Sequence, residues 1–377
     1  MRRAGTLAVV AAAALGTVAC GAAESTDVKL GAILSLQGAG SPYGQSIHRG
    51  VEMAVEEINA AGGVDVFEIG QMPLTLLVRD AQSQPATGLQ AAHELLEAGV
   101  LAAIGADVSD VTSAIAPVFQ EAEVLLMSPA SSSPKLSDAG DFIYRNFPSD
   151  DLEALNTADH VFNVAHVPEA AVIAQQSEFG LGQKNSFIQR FRLLGGRALG
   201  QGSYPADASA EDIAVQVERL LAEDPPAIYI AGYAADTALV ARAIRDAGSE
   251  AALFGTGAVL AADLIAAGGD AVEGLAFPQA PFELESDAAN VRKFVADYQA
   301  KYGMTPDTYA AHGYDAVQMI VQAIGQAGLD GQELRFYLNS MNPYEGLAGV
   351  TAFDDKGDVR KFHTMYAIQD GVAVRLE

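Results

Sequence analysis

The side chains of this chain that could do chemistry sit in two serine-bearing loops and one lone thiol. Ser109 stands in the loop Gly105–Asp110, just ahead of an apolar helical stretch expected from Val111. Ala130 and Ser132 lie in the Ser/Pro-rich loop Ser128–Pro134, after the buried-looking run Val124–Met127. Hydroxyls and free backbone N–H groups at the head of a helix suit a carboxylate, because the helix dipole favours negative charge there. The alternative for Ser109 is that it caps its helix, although a cap and an anion site can share one geometry.

Chemistry of other kinds lacks its residues. There is no Gly-x-Ser-x-Gly elbow and no Gly-x-x-x-x-Gly-Lys phosphate loop, and Cys20 is the only cysteine. His160 and His166 are six apart, neither a helical pair nor a zinc motif, and the six histidines are read as surface or boundary residues. Gly38-Ala-Gly40-Ser-Pro-Tyr-Gly44 and Gly255-Thr-Gly257 imitate a dinucleotide loop. Pro42 interrupts the first, its third glycine is missing, and no acid ends the following strand in a ribose-binding position. The scattered Asp and Glu are read as solvent-facing charges. The residues describe a protein that is not an enzyme and that calls for no cofactor and no metal.

The elements that must position these loops repeat one unit: a short β-branched run, a Gly/Ser/Pro loop, then an amphipathic helix. Val28–Leu36 alternates as a strand, and Gln45–Ala61 places Ile47, Val51, Val55 and Ile58 at helical spacing before Gly62-Gly63. Leu74–Val78, Val100–Ile104 and Val124–Met127 read as further strands, with helices over Pro85–Ala98 and Val111–Ala122. The pattern restarts with strands at Ala171–Ala174, Ala227–Ala231 and Leu253–Gly255. Helices follow over Lys184–Leu194, Glu211–Ala222, Ala238–Ala247 and Ala262–Ala267. Two more helices are expected near Asp287–Lys301 and Tyr309–Ala327, then strands at Val350–Phe353, Lys361–Gln369 and Val372–Leu376 joined by tight turns. Successive βα units imply parallel sheets covered on both faces. The expected fold class is α/β: two doubly wound parallel-sheet lobes with several crossovers. Ligands of such sheets sit at the carboxyl ends of the strands. Six loops should therefore face one cleft: Gly38–Gly44, Gly105–Asp110, Ser128–Pro134, Ser177–Gly182, Gly232–Asp236 and Gly255–Val259.

The ends and the composition set the compartment. Arg2 and Arg3 precede an apolar run, Leu7–Gly16, that is too short to span a bilayer and suits a secretory signal. It leads into Thr17-Val18-Ala19-Cys20-Gly21. This stretch is similar to the lipobox of bacterial lipoproteins, where the cysteine is acylated, with Thr17 standing where Leu is usual. The alternative is an ordinary signal peptide cleaved near Ala19. Residues 1–19 are read as signal peptide and 20–27 as a lipidated tether. The formal net charge is −26, and removing Arg2 and Arg3 with residues 1–19 takes it to −28, since that segment holds no acid. So acidic a chain repels nucleic acid and anionic membrane surfaces. The expected localisation is extracytoplasmic, periplasmic or cell-surface, with the membrane reached only through the lipid anchor and the protein monomeric.

Seven stretches in order carry a resemblance to the leucine/isoleucine/valine-binding protein family, the type I periplasmic binding proteins that serve ABC importers. They are Lys29–Gly44, Gly50–Gly63, Asp80–Pro85, Gly99–Gly105, Leu126–Ser133, Tyr309–Val317 and Glu345–Asp358. The resemblance implies lobe 1 over residues 28–147 and 281–347, and lobe 2 over 148–280 and 348–377. It implies a small-molecule ligand, an amino acid or small carboxylate, delivered to an ABC permease. It places Ser109, Ala130 and Ser132 at the ligand carboxylate, and Tyr43 and Tyr233 as aromatic walls. Phe179 stands where the family often has Tyr. The family's acid for the ligand ammonium falls on Gly257. An unpaired buried ammonium costs several kcal/mol. Either Glu178 or Asp236 supplies the acid from a neighbouring loop, or the ligand has no α-amino group. An alternative function is a ligand-sensing module of the amide or aromatic-acid type, acting with a separate signalling partner.

Overall fold

The computed structural model describes residues 27–376, so Cys20 and the N-terminal segment lie outside the described residues. Two parallel sheets dominate. The first runs in the order Leu74–Asp80, Val28–Leu34, Ala102–Gly105, Leu125–Ser128, Ile143–Arg145, with every neighbouring pair parallel. Its inner strands Ala102–Gly105 and Leu125–Ser128 are buried at every position. That is what a parallel strand covered on both faces requires, and it explains their runs of apolar and small residues. One face packs on helices Ser41–Ala60 and Thr308–Ala327, the other on Pro85–Glu97 and Ser109–Glu121. Gly50 lets the first pair of helices touch, because a Cβ there would run into the Ala310 carbonyl.

The second sheet runs Val372–Arg375, Thr364–Gln369, Ala276–Gln279, Ala252–Phe254, Ala227–Ala231, Glu169–Gln175, Arg197–Tyr204. Its last five strands are parallel, and the C-terminal hairpin closes the other edge antiparallel. Helices Ala210–Leu221 and Ala234–Asp246 cover one face; Asp150–Asp159 and Glu178–Leu193 cover the other. The chain thus builds the expected pair of doubly wound lobes, and helices Ala289–Tyr302, Thr308–Ala327 and Gly331–Ser340 return to the first.

Several elements depart from the sequence reading in one direction. Helices expected from Gln45, Val111, Lys184 and Ala238 begin at Ser41, Ser109, Glu178 and Ala234. Their first turns carry small, polar or glycine residues beside the cleft, so apolar periodicity starts late. Helix Asp150–Asp159 and the strands Ile143–Arg145, Arg197–Tyr204 and Ala276–Gln279 were not anticipated. The turn at residues 354–358, grouped with lobe 2 in the sequence, is tied to the first sheet: Arg145 Nε donates to Asp358 at 2.6 Å, and Arg145 N donates to the Gly357 carbonyl.

Acids and histidines read as surface groups are partly buried. Asp315 sits inside and accepts the Leu347 and Ala348 N–H groups, both at 2.9 Å, where the chain crosses back between lobes. His312 and His363 are buried as well, and burial lowers the His363 imidazole to about 3. A buried imidazole stays neutral because charging it forfeits hydration.

Candidate functional site

Each of the six loops expected at the cleft contributes to one interlobe cavity. Tyr43, Asp107, Ser109, Ala130, Ser132, Phe147 and Tyr309 line it from the first lobe, and Glu153, Phe179, Tyr233 and Ala258 from the second. The lobes are closed on each other. Tyr43 Oη donates to the Ala258 carbonyl at 2.5 Å, and Tyr309 Oη donates to the Gly257 carbonyl at 3.2 Å. The enclosed space is only about 20 Å³, room for a water or so, so anything larger enters by parting the lobes.

The serine wall is built on a helix head. Ser109 is the first residue of helix Ser109–Glu121, with Val108 in the capping position, and its Oγ accepts the Ser133 N–H at 3.3 Å. Ser109 therefore does not cap its own helix: its hydroxyl reaches the neighbouring serine loop. That loop is pinned from below. Ser128 Oγ and Ser131 Oγ both donate to the Ala106 carbonyl, at 2.7 and 3.0 Å, and Ser131 also meets Thr112 Oγ1 at 2.6 Å. The result holds Ser109, Ala130 and Ser132 on one wall, all buried. The Val111 and Thr112 N–H groups turn back to the Val108 carbonyl, and the head of the helix opens on the wall where Ser109 stands.

Aromatic rings form the opposite walls. Phe179 and Tyr233 stack at 5.0 Å, Tyr43 lies 5.5 Å from Tyr233 and 5.1 Å from Tyr309, and Phe147 stacks on Tyr309 at 5.6 Å. Such faces attract cations and exclude water from the space between them.

The two acids offered by sequence for an ammonium do not line this cavity. Glu178 is engaged at the edge of the interlobe contact, where Lys135 Nζ and Ser113 Oγ donate to it at 2.7 and 2.5 Å. Asp236 accepts Gln175 Nε2 at 2.5 Å. The acid inside is Glu153, on the unanticipated helix Asp150–Asp159. Its Oε1 accepts the Gly257 N–H at 2.7 Å and Gln183 Nε2 at 2.6 Å. A Cβ built on Gly257 would lie 2.7 Å from Glu153 Oε2. The missing side chain at position 257 is thus the room that the Glu153 carboxylate fills.

Burial first, then the neighbouring Asp150, raises the Glu153 carboxyl to about 8. Burial likewise raises Asp150 to about 7. At about 8 the Glu153 carboxyl is mostly protonated near neutral pH, because burial deprives its charge of hydration. A second acid, Asp107, lies on the first lobe with its Oδ1 accepting the Ser35 N–H at 2.8 Å. Burial raises it to about 6. Sequence reasoning missed both acids, along with Phe147 and Tyr309. Tyr309 opens one of the seven family-like stretches, which was the available signal. Glu153 had none, because its helix was not recognised.

Comparisons with known proteins agree with this architecture. A leucine binding protein LivK from Thermotoga maritima superposes with a TM-score of 0.86 at 27% identity, covering 93% of this chain and 98% of that one. An ABC transporter substrate-binding protein from Desulfitobacterium hafniense, solved in complex with Leu, superposes with a TM-score of 0.77 at 25% identity, over 93% and 100% of the two chains. A Leu/Ile/Val-binding protein homologue from Brucella abortus is 26% identical over 94% of each chain. The family model described as periplasmic binding protein matches residues 27–370. That span takes in every residue of the cavity and both lobes except the last strand, and the chain belongs to the periplasmic binding protein family.

Proposed function

We propose that this protein is the extracytoplasmic solute-binding component of an ABC importer, taking a small amino acid of the leucine, isoleucine and valine class between its lobes. The observation that carries the reading is the composition of the closed cavity: a helix head with serine hydroxyls on one lobe, and a buried acid on the other. A zwitterion needs both. Its carboxylate meets Ser109 and Ser132, with the Ala130 backbone beside them, and its ammonium meets Glu153. The Asp150 N–H donates to the Ser132 carbonyl at 2.7 Å, so the first turn of the Glu153 helix abuts the serine wall. That adjacency supports placing the two charged ends of one small molecule against them.

Binding and delivery are the whole task, with no covalent step. A ligand that contacts both lobes holds the closed state, and a closed form is what a permease can distinguish from an open one. Tyr43 and Tyr309 already reach across the cleft, and they would exchange part of those bonds for ligand contacts. Cys20, acylated, would tether the mature chain to the membrane.

Calorimetric titration with leucine, isoleucine and valine against their 2-oxo acid analogues tests the reading. The amino acids bind and the oxo acids bind at least a hundredfold more weakly. Equal binding of both series would remove the ammonium from the account.

A further inference from the structure

Glu153 answers one donor of the ligand, and the cavity holds a second acid of which one oxygen has no hydrogen-bond partner among the described residues. Asp107 is only 7% exposed. Its Oδ1 is spent on the Ser35 N–H, while its Oδ2 is buried with no hydrogen-bond partner. The lining contains two carboxyl groups and not one basic side chain. Methyl groups set against Asp107 would leave that oxygen desolvated and unpaired, the costly half of the hydrogen-bond balance. We infer that the amino acid taken by this site carries a nitrogen donor at the end of its side chain, an amide or an ammonium, received by Asp107.

The placement supports this division of labour. Glu153 belongs to the wall that abuts Ser132, so it meets the α-ammonium beside the carboxylate. Asp107 is anchored to the end of strand Val28–Leu34 through Ser35, and its free oxygen lies by Gly40, where an added Cβ would sit 3.0 Å away. It therefore belongs to the first-loop side of the cavity, which also carries Tyr43. A nitrogen donor placed there finds a carboxylate and aromatic faces, and both favour a cation or a polarised N–H. The inference rests on the amino-acid reading above but replaces its apolar side chain with one that ends in a nitrogen donor.

Isosteric pairs separate the two. Asparagine matches leucine in shape and ornithine matches norleucine, so the first pair differs by an amide and the second by an ammonium. In wild type, asparagine or ornithine binds about tenfold or more tightly than its apolar partner. D107L reverses that preference. D107N keeps an oxygen for Ser35 N–H but removes the charge, so it serves if D107L misfolds by circular dichroism. In D107N the ornithine to norleucine ratio falls toward one. Apolar partners that bind as well as the donors in wild type overturn this inference alone, as does a preference indifferent to position 107. Binding of 2-oxo acids with no amino acid bound overturns both readings.

Discussion

Uptake of an amino acid by this cavity should expel a proton, and the size of the effect follows from two carboxyl groups. Asp150 and Glu153 lie one helical turn apart, and the single Gln183 amide nitrogen donates to both, at 2.8 and 2.6 Å. Two buried carboxyl groups held so close do not both ionise. The groups facing Glu153 are Asp150, the Gly257 N–H, Gln183 and His363, whose Nε2 is 3.5 Å from Oε2 and which stays neutral. With its carboxyl raised to about 8, Glu153 is about nine-tenths protonated at pH 7. An ammonium requires the ionised form, so about 0.9 proton leaves for each ligand bound at that pH. Affinity then improves about tenfold per pH unit below pH 7, about fivefold between pH 7 and pH 8, and levels off above that. Calorimetry at pH 7 in phosphate and in Tris measures the proton directly, since the two buffers differ widely in ionisation enthalpy. E153Q abolishes the buffer difference and costs about 3 kcal/mol or more, roughly a hundredfold in affinity. Identical enthalpies in both buffers, with affinity flat from pH 6 to 8, would mean that no proton leaves Glu153 on binding.

Three further outcomes follow from the same geometry. G257E alone forces a second carboxyl onto Glu153 and loses amino-acid binding, while the double exchange E153G with G257E restores it within about tenfold, measured by titration. S109A removes one hydroxyl from the carboxylate wall, leaves the Ser133 N–H without its acceptor, and weakens any carboxylate ligand by about 1–2 kcal/mol, near tenfold. Unchanged affinity would dismiss the anion site. The third concerns the unliganded protein. Glu153, Asp150 and Asp107 have folded values raised to about 8, 7 and 6, above their ordinary 4.5 and 3.8, so the folded state holds the extra protons. Stability therefore falls as pH rises through the window from about 4 to about 8 and is level beyond it. His363 acts oppositely and lower down: its depressed value makes stability rise between about pH 3 and 6.5. Urea unfolding at pH 6 and 8.5 should find the ligand-free protein weaker at 8.5, with E153Q less sensitive than wild type.

Much of this architecture was legible because parallel strands buried on both faces leave an unmistakable trace. Ala227–Ala231 is a strand at the bounds expected, and all five of its residues are buried. The six cleft loops followed from topology alone, and each places a lining residue in the cavity. What escaped notice shares a physical cause. Helix first turns at a binding cleft are chosen for small size and free N–H groups, so Ser41, Ser109, Glu178 and Ala234 carry none of the apolar spacing that marks a helix. Helix Asp150–Asp159 buries a face that includes Asp150, Glu153 and Thr157 beside Ala154 and Ala158. A buried face built from acids and alanines does not read as a core stripe, and Glu153 was hidden with it.

Gly257 shows what the residue type alone concealed. Its lack of a side chain reads in sequence as the loss of an acid, and in the fold as the space another acid occupies. Two positions more than a hundred residues apart are complementary in volume, and only their meeting across the second lobe reveals it. Asp107 was concealed differently, as one more acid in an acidic chain. Its burial and its unpaired oxygen give it meaning.

The most direct measurement is a crystal structure of the protein with a bound amino acid. The ligand carboxylate is expected within hydrogen-bond distance of Ser109 and Ser132, and its ammonium within hydrogen-bond distance of a Glu153 carboxylate oxygen. A ligand seated in the same cleft with its ammonium turned away from Glu153, or seated outside the cavity altogether, would contradict this placement.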